Sequence, residues 1–179
     1  MVKNELRFSF ICLVLFATIC VVSGCKKYDS GLEDDENNMP EFVDLGFPSG
    51  TIWKSANESG LYTFDSAVAR FTSQLPTIYQ YLELLENCTY RWDEKRKGAV
   101  FVSNINGDSI FMPAAGYRDC SGNMDLVGSN GYYWSCTLDG SGGGSYIFFY
   151  QGIATTSIGN RCGGRSVRLV KTDCSKIMP

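Results

Sequence analysis

The spacing of hydrophobic residues divides the chain into segments of different kinds. An apolar run covers residues 8–22, and a polar, acidic stretch follows over residues 26–38. Beyond residue 40, apolar side chains first recur at intervals of three and four, and then fall into short runs separated by turns rich in Gly, Asn and Asp. Helical spacing followed by runs of strand length predicts an α+β domain over residues 40–174, with residues 175–179 as a tail.

Two segments have the features of short helices packed on a sheet. Thr63 is placed to cap the first, which is predicted to run to Phe71. Thr77 and Gln80 have capping-box spacing and predict a second helix that ends near Asn87. The apolar stripe expected on the first helix comprises Phe64, Ala67, Val68 and Phe71. The residues expected to be buried by the second helix are Ile78, Leu82 and Leu85.

The remaining apolar runs predict an antiparallel sheet with long loops. Asn106-Gly107 lies between two of these runs and supplies the positive φ angles of a tight hairpin turn. A long polar loop then separates a strand ending at Met112 from an aromatic strand starting at Tyr132, and such loops often carry binding surfaces. The predicted strands are residues 42–46, 51–55, 89–92, 99–103, 108–112, 132–137, 146–150, 154–157 and 166–171.

The amino-terminal residues have the pattern of an export signal. Lys3 and Arg7 precede the apolar run, which is about as long as a signal-peptide core and short for a membrane span. The four residues that end at Cys25, Val-Ser-Gly-Cys, resemble the bacterial lipobox, in which the Cys is lipidated and becomes the first mature residue. We predict a signal peptide over residues 1–24 and a membrane anchor through lipid on Cys25. An ordinary secretory signal and a retained transmembrane helix are the alternatives.

Residues 25–39 are predicted to form an acidic, flexible tether because they contain almost no apolar side chains to bury. The run from Glu33 to Glu36 resembles the acidic signal that follows the lipidated Cys in some surface lipoproteins of Bacteroidota. We therefore expect an outer-membrane lipoprotein, at the cell surface rather than on the periplasmic face. A solvated linker with no such signal is the alternative.

Charge and composition exclude several functions. Without residues 1–24 the chain has 14 basic and 18 acidic residues, a net charge of −4, which argues against nucleic acid as a partner. The chain contains no His, which excludes a Ser-His-Asp or Cys-His catalytic group and a His-ligated zinc site. The polar loop offers oxygen ligands for calcium, but they are scattered. We predict no enzymatic activity, no cofactor and no metal. The loop ligands considered are Asp119, Asn123, Asp125 and Asn130.

Five cysteines remain after Cys25 in the exported chain, and an odd number leaves at least one thiol free. We predict a disulfide between Cys136 and Cys162, because both are expected at the edges of neighbouring strands, with Cys120–Cys162 as the alternative pair. Cys88 is expected to be a buried thiol. Cys174 completes the set.

Several segments, in the same order and spanning residues 43–171, resemble the Fibrobacter succinogenes major paralogous domain, which is common in lipoproteins of Bacteroidota. This resemblance implies a C-type lectin-like fold. The stretch between Trp53 and Thr63 is shorter than is usual in the family. The segments that carry the resemblance are VDLGFPSGTIW from residue 43, LPT from residue 75, NCT from residue 87, SIFMPAAGYR from residue 109, GSNGYYWS from residue 128 and SVRLV from residue 166.

The resemblance implies a binding domain, because in related proteins of diversity-generating retroelements the carboxy-terminal region carries the binding surface. We expect non-enzymatic binding of a glycan or a protein. A structural or accessory subunit of a cell-surface assembly, fimbrial or other, is the first alternative. A cysteine-dependent enzyme of the formylglycine-generating type, which shares the broad fold, is the second. The residues predicted to contact the ligand are Tyr133, Trp134, Tyr150, Asn160 and Arg161.

Overall fold

The structure is a computed structural model that describes residues 40–172. The predicted signal peptide, the lipidation site at Cys25, the tether and Cys174 lie outside the described residues. Within them, helix α1 spans Phe64–Phe71 and helix α2 spans Ile78–Asn87. The strands are β1 Phe42–Asp44, β2 Thr51–Lys54, β3 Cys88–Asp93, β4 Gly98–Ser103, β5 Ser109–Pro113, β6 Tyr117–Arg118, β7 Met124–Asp125, β8 Asn130–Leu138, β9 Gly144–Tyr150, β10 Ile153–Gly159 and β11 Val170–Thr172.

Both helix caps are confirmed. The Thr63 side chain accepts a hydrogen bond from the amide of Ser66 at the start of α1. At α2, the amide of Gln80 donates to the Thr77 hydroxyl and the amide of Thr77 donates to the Gln80 side chain, which completes the capping box. These bonds satisfy amide groups that the first helical turn leaves without partners.

The prediction of the buried face of α2 is wrong. Tyr81 and Leu84 are the buried residues of this helix, whereas Leu82 is exposed and Ile78 and Leu85 are only partly buried. The helix turns Tyr81 inward because its ring packs against Trp53 at 5.4 Å between centroids. Its hydroxyl reaches the carbonyl of Trp134, so a polar aromatic residue can occupy the core without losing its hydrogen bond.

The strands form three three-stranded sheets and one two-stranded sheet, and the strand pairs are antiparallel. Together with the two short helices, they confirm the predicted α+β class. The sheet β10-β9-β8 carries most of the side chains of the candidate functional site. One of its faces packs Tyr133, Ile147 and Phe149 into a core shared with α2. The opposite face packs Trp134 and Tyr146 into a second core with α1.

Residues 160–169, the return segment, connect β10 to β11 and pair with other parts of the chain mainly through isolated β-bridges. The predicted strand over residues 166–171 is confirmed only at β11, and Ser166 forms an isolated parallel bridge with Tyr133. Arg168 is fully buried in this segment. Its guanidinium donates to the side chain of Asn57 and to the carbonyls of Lys54, Ser55 and Phe111 at 2.6–2.9 Å. This arginine therefore ties three parts of the chain together through neutral acceptors.

Candidate functional site

Two of the predicted ligand contacts lie in the core. Tyr133 is fully buried, and its hydroxyl donates to the carbonyl of Pro113 at 2.7 Å. Trp134 is also fully buried, and its indole N–H donates to the carbonyl of Tyr62 at 2.8 Å. The prediction that these two side chains present a binding surface is wrong, because the sheet is covered on one face near Tyr133 and on the other near Trp134.

A row of mostly half-buried rings, the aromatic face, lies on the same face of the sheet as Trp134 and Tyr146. It comprises Tyr132 of β8 and Phe148 and Tyr150 of β9, with Tyr117 of β6 at its side. Tyr132 stacks on Phe148 at 6.0 Å, and Phe148 stacks on Tyr150 at 6.3 Å. Tyr117 meets Tyr132 edge to face at 5.1 Å. Tyr150 retains 38% of its accessible surface, so the row is open to solvent at that end.

Strand register explains why these rings share a face. Tyr132 pairs with Phe148 across the ladder, and Asn130 pairs with Tyr150. Since side chains alternate between the two faces of a strand, positions two apart point the same way. On the third strand, Thr155 pairs with Phe148 and is exposed, which adds a hydroxyl beside the rings.

A cleft of about 280 Å³ opens where the aromatic face ends at Tyr150. Trp92 of β3 forms another part of its wall and is half-buried. Lys97 donates to the carboxylate of Glu94 at 2.9 Å, and this hydrogen bond lowers the pKa of Glu94. The cleft thus combines two aromatic side chains with charged and amide groups. Its lining residues are Trp92, Glu94, Lys97, Gly128, Ser129, Asn130, Tyr150 and Gln151.

Sequence reasoning missed Trp92 and Glu94. The segment from Asp93 to Gly98 is a charged turn, which is usually only a solvated connection. The hydroxyl of Tyr90 donates to the carbonyl of Tyr150 at 2.7 Å, and this long-range bond holds the β3 end next to the β9 end. No local pattern in the sequence encodes that contact.

Asn160 and Arg161 do not join Tyr150 in one site. They follow β10, whose last residue pairs with Gly144, whereas Tyr150 lies at the other end of β9. Six residues of strand separate these ends by about 20 Å. Arg161 forms an ion pair with Asp65 and lies over the Phe64 ring at 5.5 Å. Its charge is therefore matched within the protein, and Asn160 accepts a hydrogen bond from the amide of Cys162 at 3.4 Å.

The disulfide joins Cys120 to Cys162, and Cys136 is a free thiol. The predicted Cys136–Cys162 bond is wrong, and the alternative pair is the one observed. Arg118 and Gly164 exchange two backbone hydrogen bonds in an antiparallel bridge, so the residues two positions away face each other at 5.1 Å between Cα atoms. Cys136 lies elsewhere, with its amide bonded to the carbonyl of Pro76.

The free thiols within residues 40–172 are not activated. Burial raises the pKa of Cys88 to about 12 and also raises the pKa of Cys136, which disfavours the reactive thiolate of each. The Cys136–Cys162 pair on which a cysteine-dependent enzyme would rest is not formed. Cys120 and Cys162 hold each other in the disulfide.

Arg165 lies at the other end of the aromatic face. Its guanidinium carbon is 4.0 Å from the ring centres of both Trp134 and Tyr146, and 6.0 Å from that of Tyr132. The residue keeps only 8% of its accessible surface. Burial lowers the pKa of Arg165, an effect that the Tyr146 hydroxyl opposes. Its Nε and Nη1 atoms have no hydrogen-bond partner among residues 40–172.

The acidic residues of the polar loop serve local turns. The Asp119 carboxylate accepts hydrogen bonds from the amides of Ser121 and Asn123 and from the Asn123 side chain, and the last of these lowers its pKa most. Across residues 40–172, no three His, Cys, Asp or Glu residues are grouped to hold a metal ion. In the same part of the chain, no helix is long and apolar enough to cross a membrane.

Comparison of the chain with protein-family models returned no match. Comparisons with curated proteins and with solved structures returned no significant match either.

Proposed function

We propose that the domain binds a glycan, non-enzymatically, on the aromatic face and in the adjoining cleft. The stacked row of Tyr132, Phe148 and Tyr150, half-buried at the first two rings and open to solvent at Tyr150, carries this proposal. A sugar ring presents an apolar C–H face that packs on an aromatic ring, while its hydroxyl groups need hydrogen-bond partners at the edge. Glu94, Asn130 and Gln151 supply such partners around the cleft.

We further propose that the protein is a lipid-anchored outer-membrane lipoprotein that exposes this domain at the cell surface. The signal-like run, the residues up to Cys25 and the acidic tether support the anchor. The ordered segments that resemble the major paralogous domain support membership of that family and a C-type lectin-like fold. In this setting, a glycan-binding face on a tethered domain would act in adhesion or in capture of nutrients.

A glycan array probed with the full chain tests the binding proposal. We expect a discrete set of bound glycans that is lost on substitution of Tyr150 by Ala and kept on substitution of Tyr79 by Ala. Tyr79 is a matched control because it is 75% exposed and lies on α2, which packs into the other core of the sheet. Equal loss in both variants, or no bound glycan for the unaltered chain, would contradict glycan binding on the aromatic face.

A protein-binding role, as an accessory subunit of a surface assembly, is the second candidate. Three apolar side chains, Met124, Leu126 and Val127, are exposed at and after β7, beside the polar loop. An exposed apolar group of this kind is typical of protein contacts. Substituting Val127 by Ser would abolish recovery of a stable partner from the parent membrane if this candidate is correct, and would leave glycan binding unchanged.

A further inference from the structure

The charge of Arg165 is not neutralised within the described part of the molecule. None of the ion pairs found among residues 40–172 includes it, and two of its three guanidinium nitrogens lack a partner. A buried cation without an acceptor is costly, because it has lost water without replacing its hydrogen bonds. Such a group is expected where it serves a ligand.

Two other arginines of this region differ from Arg165 in how their charge is met. Arg168 is more deeply buried, yet all three of its guanidinium nitrogens donate to protein oxygens. Arg161 is paired with the carboxylate of Asp65. Among residues 40–172, the fold therefore supplies Arg168 with a full set of acceptors and Arg161 with a carboxylate, although the Nε atom of Arg161 lacks a partner. Arg165 has no carboxylate partner there, and its Nε and Nη1 atoms have no acceptor.

Two glycines approach the guanidinium closely. A Cβ atom added at Gly159 would lie 2.5 Å from the Nη2 atom of Arg165, and one added at Gly163 would lie 3.0 Å from its Nη1 atom. Neither glycine has a positive φ angle, so the backbone itself does not require Gly there. The absence of side chains at these two positions lets the Arg165 guanidinium pack directly against the backbone.

Tyrosine hydroxyl groups complete the surroundings. Tyr132 contacts Tyr117 at 5.1 Å and Tyr146 at 6.0 Å between ring centres, so three phenols gather on the side of Arg165 that faces the aromatic row. Burial raises the pKa of Tyr132, and the neighbouring phenols of Tyr146 and Tyr117 raise it further, so the Tyr132 hydroxyl remains a neutral donor. A guanidinium beside phenol donors is suited to a carboxylate or sulfate group.

We propose that Arg165, with the hydroxyl groups of Tyr132 and Tyr146, receives the anionic group of an acidic glycan that lies along the aromatic face. This inference rests on the proposed glycan binding and specifies its substrate class. The same guanidinium geometry accepts a uronic-acid carboxylate and a sulfate ester. Because the net charge of the exported chain is −4, recognition of an anionic polymer requires such a local cation rather than overall attraction.

Calorimetric titration of the full chain with matched sugars tests the inference. The probes are trigalacturonate against its methyl ester, and galactose 6-sulfate against galactose. We expect at least one acidic probe to bind about tenfold more tightly than its neutral counterpart, as one charge-assisted contact provides. The probe pair in which the acidic sugar binds more tightly shows whether the anionic group is a carboxylate or a sulfate ester.

Three variants assign the preference to a residue. Arg165→Gln is expected to reduce the tenfold ratio to about one, and Arg161→Gln, which removes the same charge nearby, to leave it unchanged. Tyr132→Phe keeps the ring and is expected to reduce the ratio severalfold. This variant tests the anionic site if Arg165→Gln does not fold. Equal affinity for acidic and neutral probes in the unaltered chain would overturn the anionic site and leave glycan binding standing. A preference for the acidic probe that is retained in Arg165→Gln, or is unaltered in Tyr132→Phe, would also overturn the anionic site.

Discussion

At the scale of single residues, Arg165 and Arg168 show how differently one side-chain type can be used. They are three positions apart, and both are buried. Arg168 donates to four oxygens that join the segment after β2 to β5, whereas Arg165 stacks between two rings with Nε and Nη1 unbonded. The first has the properties of a structural cross-link, and the second those of a binding group.

Replacing Arg168 by Gln should lower the free energy of unfolding by about 3 kcal/mol, because several carbonyls lose a charged donor and remain buried. Replacing Arg165 by Gln should lower it by less, since ring contacts and the contact with the Tyr146 hydroxyl are lost rather than four hydrogen bonds. Urea titration monitored by circular dichroism measures both values. Equal losses in the two variants would contradict the separate roles assigned to them.

Alkaline pH should destabilise the protein through buried acidic protons. Burial raises the pKa of both Cys88 and Tyr133 to about 12. The unfolded chain releases these protons near pH 9 and 10, so the stabilisation is complete below pH 9 and is lost as pH rises towards 12. Urea midpoints measured from pH 7 to 11 should fall above pH 9, and less steeply in Cys88→Ala. A midpoint that stays constant or rises over this range would contradict the assignment.

At the scale of elements, the Cys120–Cys162 disulfide fixes the polar loop against the return segment. Its sequence separation of 42 residues implies a loop-closure contribution of about 4 kcal/mol. Cys120→Ser should lower the unfolding free energy by an amount of that order, and reduction of the unaltered chain should do the same. Cys136→Ser is the control, because that thiol is unpaired, and a loss as large as that of Cys120→Ser would contradict the observed pairing.

Close packing of β8 against β9 depends on Gly131. A Cβ atom there would overlap the ring of Phe149 in the core. Gly131→Ala should therefore destabilise the protein by about 2 kcal/mol, as overpacked cores do. Gly140→Ala is the control, because nothing lies within 4 Å of the added atom and its φ angle is not positive. Comparable thermal midpoints for the two variants would show that the sheet accommodates the methyl group.

Sequence patterns predicted the positions of helices and strands better than the burial and contacts of their side chains. The caps at Thr63 and Thr77 are local hydrogen-bond arrangements, so the residues themselves encode them. Trp134 and Tyr133 are neighbours on a strand and therefore point to opposite faces of the sheet, but burial of both depends on the sheet being covered on each of its faces, which is a tertiary property. The disulfide likewise depends on the bridge between Arg118 and Gly164, which no periodicity reveals.

At the scale of the whole molecule, the candidate site is assembled from distant parts of the chain. The cleft brings Trp92 from β3 to Tyr150 of β9, and the aromatic face then continues to Arg165 in the return segment. Only Tyr150 of this set was predicted as a ligand contact. The others could not be identified from sequence, because aromatic residues are common in cores and the packing of other elements on the sheet decides which rings remain accessible.

Amide hydrogen exchange of the full chain, with and without a glycan selected on the array, tests the location of binding most directly. The account predicts slower exchange in the loop after β7, around Asn130 and at the turn between β9 and β10, with exchange in α2 unchanged. These segments border the aromatic face and the cleft, and their exposed amides exchange by local opening. Protection confined to α2 and the β1–β2 sheet, or the failure of every glycan to alter exchange, would contradict a glycan-binding site on this face.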